Sequence, residues 1–368
     1  MDFSRLIASR MSRIDSSGIR KVFDLARSIK NPINLSIGQP DFAVPELVKT
    51  KAMQAIEEGH NTYTVTQGLQ ELREAVLAVE KERTGIKQDA VLITSGVSGG
   101  LLLALMALIN PGDGVIIPDP YFVMYKHLCR LLGGRPFYVD TYPDFQLTVE
   151  RLEKARAERG KVLLLNSPNN PTGQVFPAGA LREIARWARA HEVFIISDEI
   201  YNSFVYDGPC ASIARYSRDV LLLNGFSKCS AMTGWRLGYA IGPPDIIAEM
   251  TKLQQFSFVC APSFAQHAGL VALTIDPAPY VQAYRTKRDL LYEGLRRRFE
   301  LPKPQGAFYA FVRAPGEDGD AFVKKAISRG CLVIPGSVFS ERKSHFRVSF
   351  AAEDSTIEAG TQLLCSLA

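Results

Sequence analysis

Short, unbroken apolar runs recur along this chain, each of strand length and each followed by a polar or glycine-rich turn. The series is Ala90-Val-Leu-Ile-Thr94, Val115-Ile-Ile117, Lys161-Val-Leu-Leu-Leu165, Val193-Phe-Ile-Ile196, Val220-Leu-Leu-Leu223 and Tyr239-Ala-Ile241. A strand with no polar face is buried on both sides. With helical patterns between the runs, this predicts an α/β fold built on a mainly parallel sheet. A buried helix is predicted over Leu101 to Ile109, closed by the turn Asn110-Pro-Gly-Asp-Gly114. After Pro277-Ala-Pro279 the pattern changes. A helix is predicted from Tyr280 to Arg298, then short strands over Ala307–Phe311, Cys331–Ile334 and Phe346–Phe350. That part reads as a smaller α+β unit. At 368 residues the chain exceeds the about 250 to 300 residues at which single cores stop growing, so two domains are expected.

Charge and cysteine usage exclude several function classes. The net charge of +5 is small and dispersed, which argues against a nucleic-acid partner. The densest basic stretch, Arg296-Arg297-Arg298 beside Arg285, Lys287 and Arg288, reads as a solvated helix face. The six cysteines form no C-x-x-C pair and have no histidine at ligand spacing, so neither zinc nor a disulfide framework is expected. Reduced thiols fit a cytoplasmic enzyme. The N-terminal stretch is charged throughout and lacks the apolar core of a signal peptide. No apolar run approaches the roughly 20 residues of a membrane span, so no membrane partner is expected.

In a sheet of this kind, ligands bind beyond the carboxyl ends of the strands. The first run ends in Ser95-Gly96-Val97-Ser98-Gly99-Gly100, small residues that let backbone N–H groups approach an anion. A glycine turn made for tight packing would look the same, and no Gly-Lys-Ser/Thr follows to make a nucleotide loop. Later strand ends supply Asn170, then Asp198 and Tyr201, then Ser227 and Lys228 with Arg236. A carboxylate emerging from an apolar strand is costly without a cationic partner. Together these groups match the needs of pyridoxal phosphate. Its aldehyde needs a lysine, its ring nitrogen an acid, and its phosphate a helix N-terminus and an arginine.

Ordered motifs then make the chain resemble the class I/II aminotransferases of pyridoxal-phosphate fold type I. These are Ser36-Ile-Gly38-Gln-Pro40-Asp41, Tyr63 ahead of Gly68-Leu69 and Glu71-Leu72-Arg73, Asn170-Pro-Thr-Gly173, Asp198-Glu-Ile-Tyr201, Ser227-Lys228 with Met232-Thr-Gly-Trp-Arg-Leu-Gly238, and Arg347 in Phe346-Arg-Val-Ser. The resemblance runs through nearly the whole chain. It implies a mainly parallel seven-stranded sheet in a large domain, residues 42–280. Residues 1–41 and 281–368 would form a small domain that closes over the substrate.

The resemblance also implies roles. Lys228 would be the Schiff-base lysine and proton shuttle, and Asp198 the partner of the ring nitrogen. Tyr201 and Asn170 would bond the ring hydroxyl oxygen. Gly96, Val97, Ser98, Ser227 and Arg236 would cup the phosphate. Phe122, with Tyr121 as the alternative, would stack on the ring. Arg347 would clamp the substrate carboxylate, with Gly38 and Asn170 close by. Tyr63 would reach the cofactor of a neighbouring subunit, which implies a homodimer with shared sites. One departure is Gly225, which stands where many relatives carry a phosphate-binding serine. The expected reaction is ping-pong transfer of an amino group between an L-amino acid and a 2-oxo acid. A β-C–S lyase shares the same motifs. A non-catalytic pyridoxal-phosphate-binding regulator is a more remote alternative, because the motifs begin by Gly38 and leave no room before them for a DNA-binding domain.

Overall fold

The computed structural model describes residues 1, 3–16, 18, 22 and 29–368. Of the expected small domain, residues 2, 17, 19–21 and 23–28 lie outside the described residues.

The apolar runs form the central sheet. Its strands are β2 (Ala90–Ser95), β3 (Gly114–Asp119), β4 (Arg135–Asp140), β5 (Val162–Asn166), β6 (Phe194–Asp198), β7 (Val220–Gly225) and β8 (Leu237–Gly242). They lie in the order β2-β8-β7-β6-β5-β3-β4. All neighbours pair in parallel except β8, which runs antiparallel to both β2 and β7. Alternate residues of each central strand enter two different cores. Leu163, Leu165 and Leu222 pack on one face, and Val162, Leu164 and Leu221 on the other. This two-sided burial is why those strands are apolar without alternation.

β4 was not legible as a strand. It is an edge strand with exposed ends, and its sequence Arg-Pro-Phe-Tyr-Val-Asp mixes polar residues with a proline. A proline costs nothing in a ladder that has only one neighbour. The helix expected from Leu101 begins earlier, at Gly96, and runs to Leu108. Its glycine-rich first turn lies against β8. A Cβ at Gly238 would come within 2.7 Å of the Gly96 carbonyl carbon, so the close approach needs glycine.

Beyond the large sheet, β9 (Tyr309–Arg313), β11 (Ile334–Pro335) and β12 (His345–Ser349) form an antiparallel sheet in the order β11-β12-β9. β1 (Ile33–Asn34) pairs in parallel with β10 (Cys331–Leu332), which ties the N-terminal segment to the C-terminal unit. The single strand expected over Cys331–Ile334 is therefore two strands that serve different sheets. Helix Ala278–Leu295 ends before the Arg296–Arg298 run. The expectation of a uniformly solvated basic face fails at Arg288. That side chain is 2% exposed and pairs with Asp207 at 2.7 Å and Asp289 at 2.8 Å. Acids brought from a distant loop and from the adjacent position make its burial tolerable.

Candidate active site

The turns after β2, β3, β5, β6 and β7 converge on one cavity of about 400 Å³. β8 runs the opposite way, so Arg236, just before it, joins the same edge. The volume falls within the range of small-molecule sites. Val97, Ser98, Phe122, Asn170, Asp198, Tyr201, Ser227, Lys228 and Arg236 all line it, together with Gly38 and Arg347.

Asp198 sits at the end of β6 and is 5% exposed. Its Oδ2 accepts from the Tyr125 hydroxyl at 2.7 Å, and its Oδ1 accepts from the Ile200 N–H at 3.2 Å. Burial pushes this carboxyl up to about 6, against the pull of those two hydrogen bonds. Asn166 braces the strand end. Its Nδ2 donates to the Asp198 carbonyl at 3.0 Å, and its Oδ1 accepts from the Asn170 N–H at 2.8 Å.

Lys228 follows β7 and reaches across to the N-terminal segment, donating to the Gly38 carbonyl at 2.6 Å. Burial, reinforced by the charges of Arg347 and Arg236 and opposed by Asp198, lowers its amine to about 8. An amine held there is far more often neutral near physiological pH than a surface lysine is, as a nucleophile and a base require.

Arg236 takes a left-handed backbone conformation, φ 55°. It donates through Nη2 to Ser98 Oγ at 2.7 Å and through Nη1 to the Thr233 carbonyl at 2.8 Å. A Cβ at Gly96 would lie 2.5 Å from Arg236 Nη2, so glycine leaves the space in which guanidinium and helix N-terminus meet. Gly96 itself lies behind the lining residues.

Phe122 lines the cavity, packed edge-on against Tyr125 at 5.7 Å. Tyr121, the alternative ring partner, turns away. Its hydroxyl donates to Glu341 at 2.6 Å and its ring stacks on Tyr138. Arg347 of β12 is 1% exposed, with its guanidinium 4.5 Å and 4.6 Å from the ring centres of Tyr309 and Phe339. It donates to Asn170 Oδ1 at 3.0 Å and to the Ser36 carbonyl at 2.8 Å, while its Nε has no hydrogen-bond partner among the described residues. Tyr63 does not line the cavity and is 81% exposed.

Two groups in the site escaped the sequence reading. Tyr125 was visible only as the residue one helical turn after Phe122. Tyr309, whose hydroxyl lies 2.9 Å from that of Tyr201, is masked within the apolar run Ala307–Phe311. A phenol in a buried strand needs a polar partner, which was the available signal.

The model of the family described as aminotransferase class I and II matches residues 30–362. The chain belongs to the class I and II aminotransferases. A probable aspartate aminotransferase of Methanocaldococcus jannaschii is 37% identical, over 96% of this chain and 97% of its own length. An aromatic-amino-acid aminotransferase of Thermococcus litoralis is 36% identical, over 96% and 95%. The solved structure of Thermus thermophilus aspartate aminotransferase with maleate superposes with a TM-score of 0.93 at 34% identity, covering 98% of this chain and 99% of that one. This aminotransferase is therefore a pyridoxal-phosphate enzyme, and nothing in these likenesses supports the lyase reading.

The residues present fit that cofactor. A buried carboxylate that makes no ion pair among the described residues lines the cavity, the glycine cradle lies beneath Arg236, and Lys228 lines the same cavity. No helix among the described residues is long and apolar enough to cross a membrane.

Proposed function

We propose that Lys228, Asp198, Tyr201, Asn170, Arg236 and Arg347 carry out amino-group transfer between an α-amino acid and a 2-oxo acid. The observation that carries the reading is Arg347, a buried guanidinium whose Nε lacks a partner and which pairs with no carboxylate among the described residues. A buried charge left so is costly, and an α-carboxylate answers it with two parallel hydrogen bonds.

Pyridoxal phosphate, when bound, supplies the aldehyde that takes the amine and the ring that withdraws electrons from the substrate Cα. Lys228 would hold the cofactor through Nζ and, once freed by the incoming amine, would move the proton at the substrate Cα. Asp198 would keep a proton on the ring nitrogen. Tyr201 and Asn170 would bond the ring oxygen, and Phe122 would support the ring. Arg236, Ser98, Ser227 and the N–H groups of Gly96 and Val97 would hold the phosphate. The Gly38 carbonyl holds the Lys228 amine by accepting from its Nζ at 2.6 Å.

Gly38 and Arg347 come from residues 1–41 and 281–368, whereas Lys228 and Asn170, which they bond, come from residues 42–280. Closure of the first unit on the second would complete the site. The six free thiols fit a reducing, cytoplasmic setting.

Arg347→Lys tests the clamp. It should lower kcat/KM for the amino donor by about 10²-fold while pyridoxal phosphate binds as before, because an ammonium replaces a bidentate fork. Steady-state kinetics beside a cofactor titration would measure it. Unchanged kinetics would put the clamp elsewhere.

The assembly is a homodimer in which Tyr63 serves the partner's phosphate. The support is its exposure beside other uncovered apolar residues, Val65 at 62% and Phe256 at 88%. A Tyr63→Ala chain, weakened alone, and a Lys228→Ala chain, inactive alone, should form one fully equipped site in every mixed dimer, raising activity above that of either parent. That site would draw Lys228 from one chain and Tyr63 from the other. No rise, with subunit exchange demonstrated by mass spectrometry, would mean that Tyr63 serves its own subunit or none.

A further inference from the structure

A second cluster of buried polar side chains lies on the face of the large sheet turned away from the cavity. Successive residues of a strand point to opposite faces. Asp198 follows Ile196 onto the side that also holds Leu101, whereas Ser197 and Glu199 follow Ile195 onto the other. Asn224 and Tyr239 share that second face with Leu222 and Leu237. Helix Gln70–Thr84 packs there through Leu72 and Val76 and brings Glu80 and Arg83. The Glu80 and Glu199 side chains are 1% and 2% exposed. Arg83 Nη2 donates to both, at 2.7 Å and 2.6 Å, and Arg83 Nε donates again to Glu80 at 2.9 Å. Burial would lower this guanidinium, but Glu199 and Glu80 hold it above its ordinary value.

The other bonds of the two carboxylates reach the strand ends that carry the cofactor site. Glu199 Oε1 accepts from the Ser197 hydroxyl at 2.9 Å and from the Ser212 hydroxyl at 2.6 Å. The residues on both sides of Asp198 are thereby fixed. Glu80 Oε1 accepts from Asn224 Nδ2 at 2.9 Å and from the Tyr239 hydroxyl at 2.7 Å. Anchored so, the Asn224 amide turns its Oδ1 to the Gly225 N–H at 2.8 Å, at the start of the turn that leads to Ser227 and Lys228. Tyr239 belongs to β8, and Arg236 stands immediately before that strand. One guanidinium therefore joins, through two carboxylates, the ends of β6, β7 and β8.

Stability alone does not account for this cluster. Two buried carboxylates sharing one guanidinium lose solvation that their attraction hardly returns, and hydrocarbon of similar volume is often as stable. Hydrocarbon cannot supply directional bonds to three neighbouring strand ends. We infer that Glu80, Arg83 and Glu199 are positioning residues. They hold the ends of β6, β7 and β8 in one fixed arrangement and so set Asp198, Lys228 and Arg236 relative to one another. None of the three lines the cavity, so they act through the groups that do. The inference rests on the roles proposed above for Asp198, Lys228 and Arg236.

Arg83→Met, Arg83→Lys and the shape-preserving Glu199→Gln test it in the holoenzyme. In hydrogen exchange, segment 224–238 of Arg83→Met should exchange at least about tenfold faster than in wild type, while β3 and β5 keep their rates. Single-turnover mixing would use whichever of L-aspartate, L-glutamate, L-alanine and L-phenylalanine reacts fastest with wild type. The limiting rate should fall about tenfold or more, and the half-saturating concentration should move less than about twofold. Misplaced reacting groups weaken the chemical step and leave the hold of Arg347 on the substrate as it was. Arg83→Lys, which keeps a cation between the carboxylates, should lie between wild type and Arg83→Met in both readouts. Exchange that rises equally across the whole sheet marks a merely structural cluster and overturns the inference. So does a limiting rate within about twofold of wild type in folded Arg83→Met. Should Arg83→Met fail to fold, Glu199→Gln, which keeps the volume and removes one charge, is read by the same two criteria. Turnover retained by Lys228→Ala would sink the transfer roles, while the exchange pattern still decides the brace, so the two failures are distinguishable.

Discussion

Lys228→Ala is expected to lower turnover by about 10⁴-fold or more, because in the proposed mechanism this side chain is both the covalent anchor and the group that moves the proton at Cα. The fold should survive. The side chain makes one hydrogen bond, to the Gly38 carbonyl, and burial already disfavours its charge, lowering the amine to about 8. Removing a poorly solvated ammonium takes little from stability. Single-turnover kinetics and a thermal melt on the same preparation measure the two halves of the statement. Borohydride reduction of the native holoenzyme, followed by peptide mapping, identifies the anchoring lysine directly. A tag on any other lysine would overturn the site as drawn.

The second large effect is expected at Asp198. Asp198→Ala should cost on the order of 10³-fold in the amino-transfer step while pyridoxal phosphate is retained through Lys228 and the phosphate cradle. Without a facing carboxylate the ring nitrogen gives up its proton and withdraws electrons less strongly. Near-normal turnover would mean that Asp198 does not face the ring. The shape-preserving Asp198→Asn carries a signature in the apoprotein as well. The folded-state carboxyl lies at about 6 against an ordinary 3.8, so the folded protein binds more protons across that interval. The stability this group contributes is present below 3.8 and is lost as pH rises through about 6. The melting temperature of Asp198→Asn relative to wild type should therefore climb across the same window. Asp119, likewise raised to about 6 by burial, titrates in both proteins and cancels in the difference.

The elements most legible in the sequence are those whose burial is uniform. β5, β6 and β7 are covered on both faces, so their composition alone marks them. β4 was hidden because an edge strand tolerates polar ends and a proline. The start of helix Gly96–Leu108 was hidden because glycines read as a turn, although here they let the helix approach β8. Arg288 looked like a surface cation because its acid, Asp207, lies 81 positions away.

The same division runs through the site. Asp198, Lys228, Arg236 and Asn170 announce themselves because each stands directly beside a strand end, where local sequence and topology coincide. The chemistry of the cofactor was therefore determined by the chain read one residue at a time. Tertiary structure decided what those groups are worth. It set Tyr125 against Asp198, Tyr309 against Tyr201, and the Ser36 carbonyl against Arg347, pairs separated by 73, 108 and 311 positions. It also removed water from Lys228 and Asp198, moving the amine down and the carboxyl up. Residue type sets which proton a group can carry. The dielectric and the charges around it, which only the folded chain brings together, set the pH at which it does so.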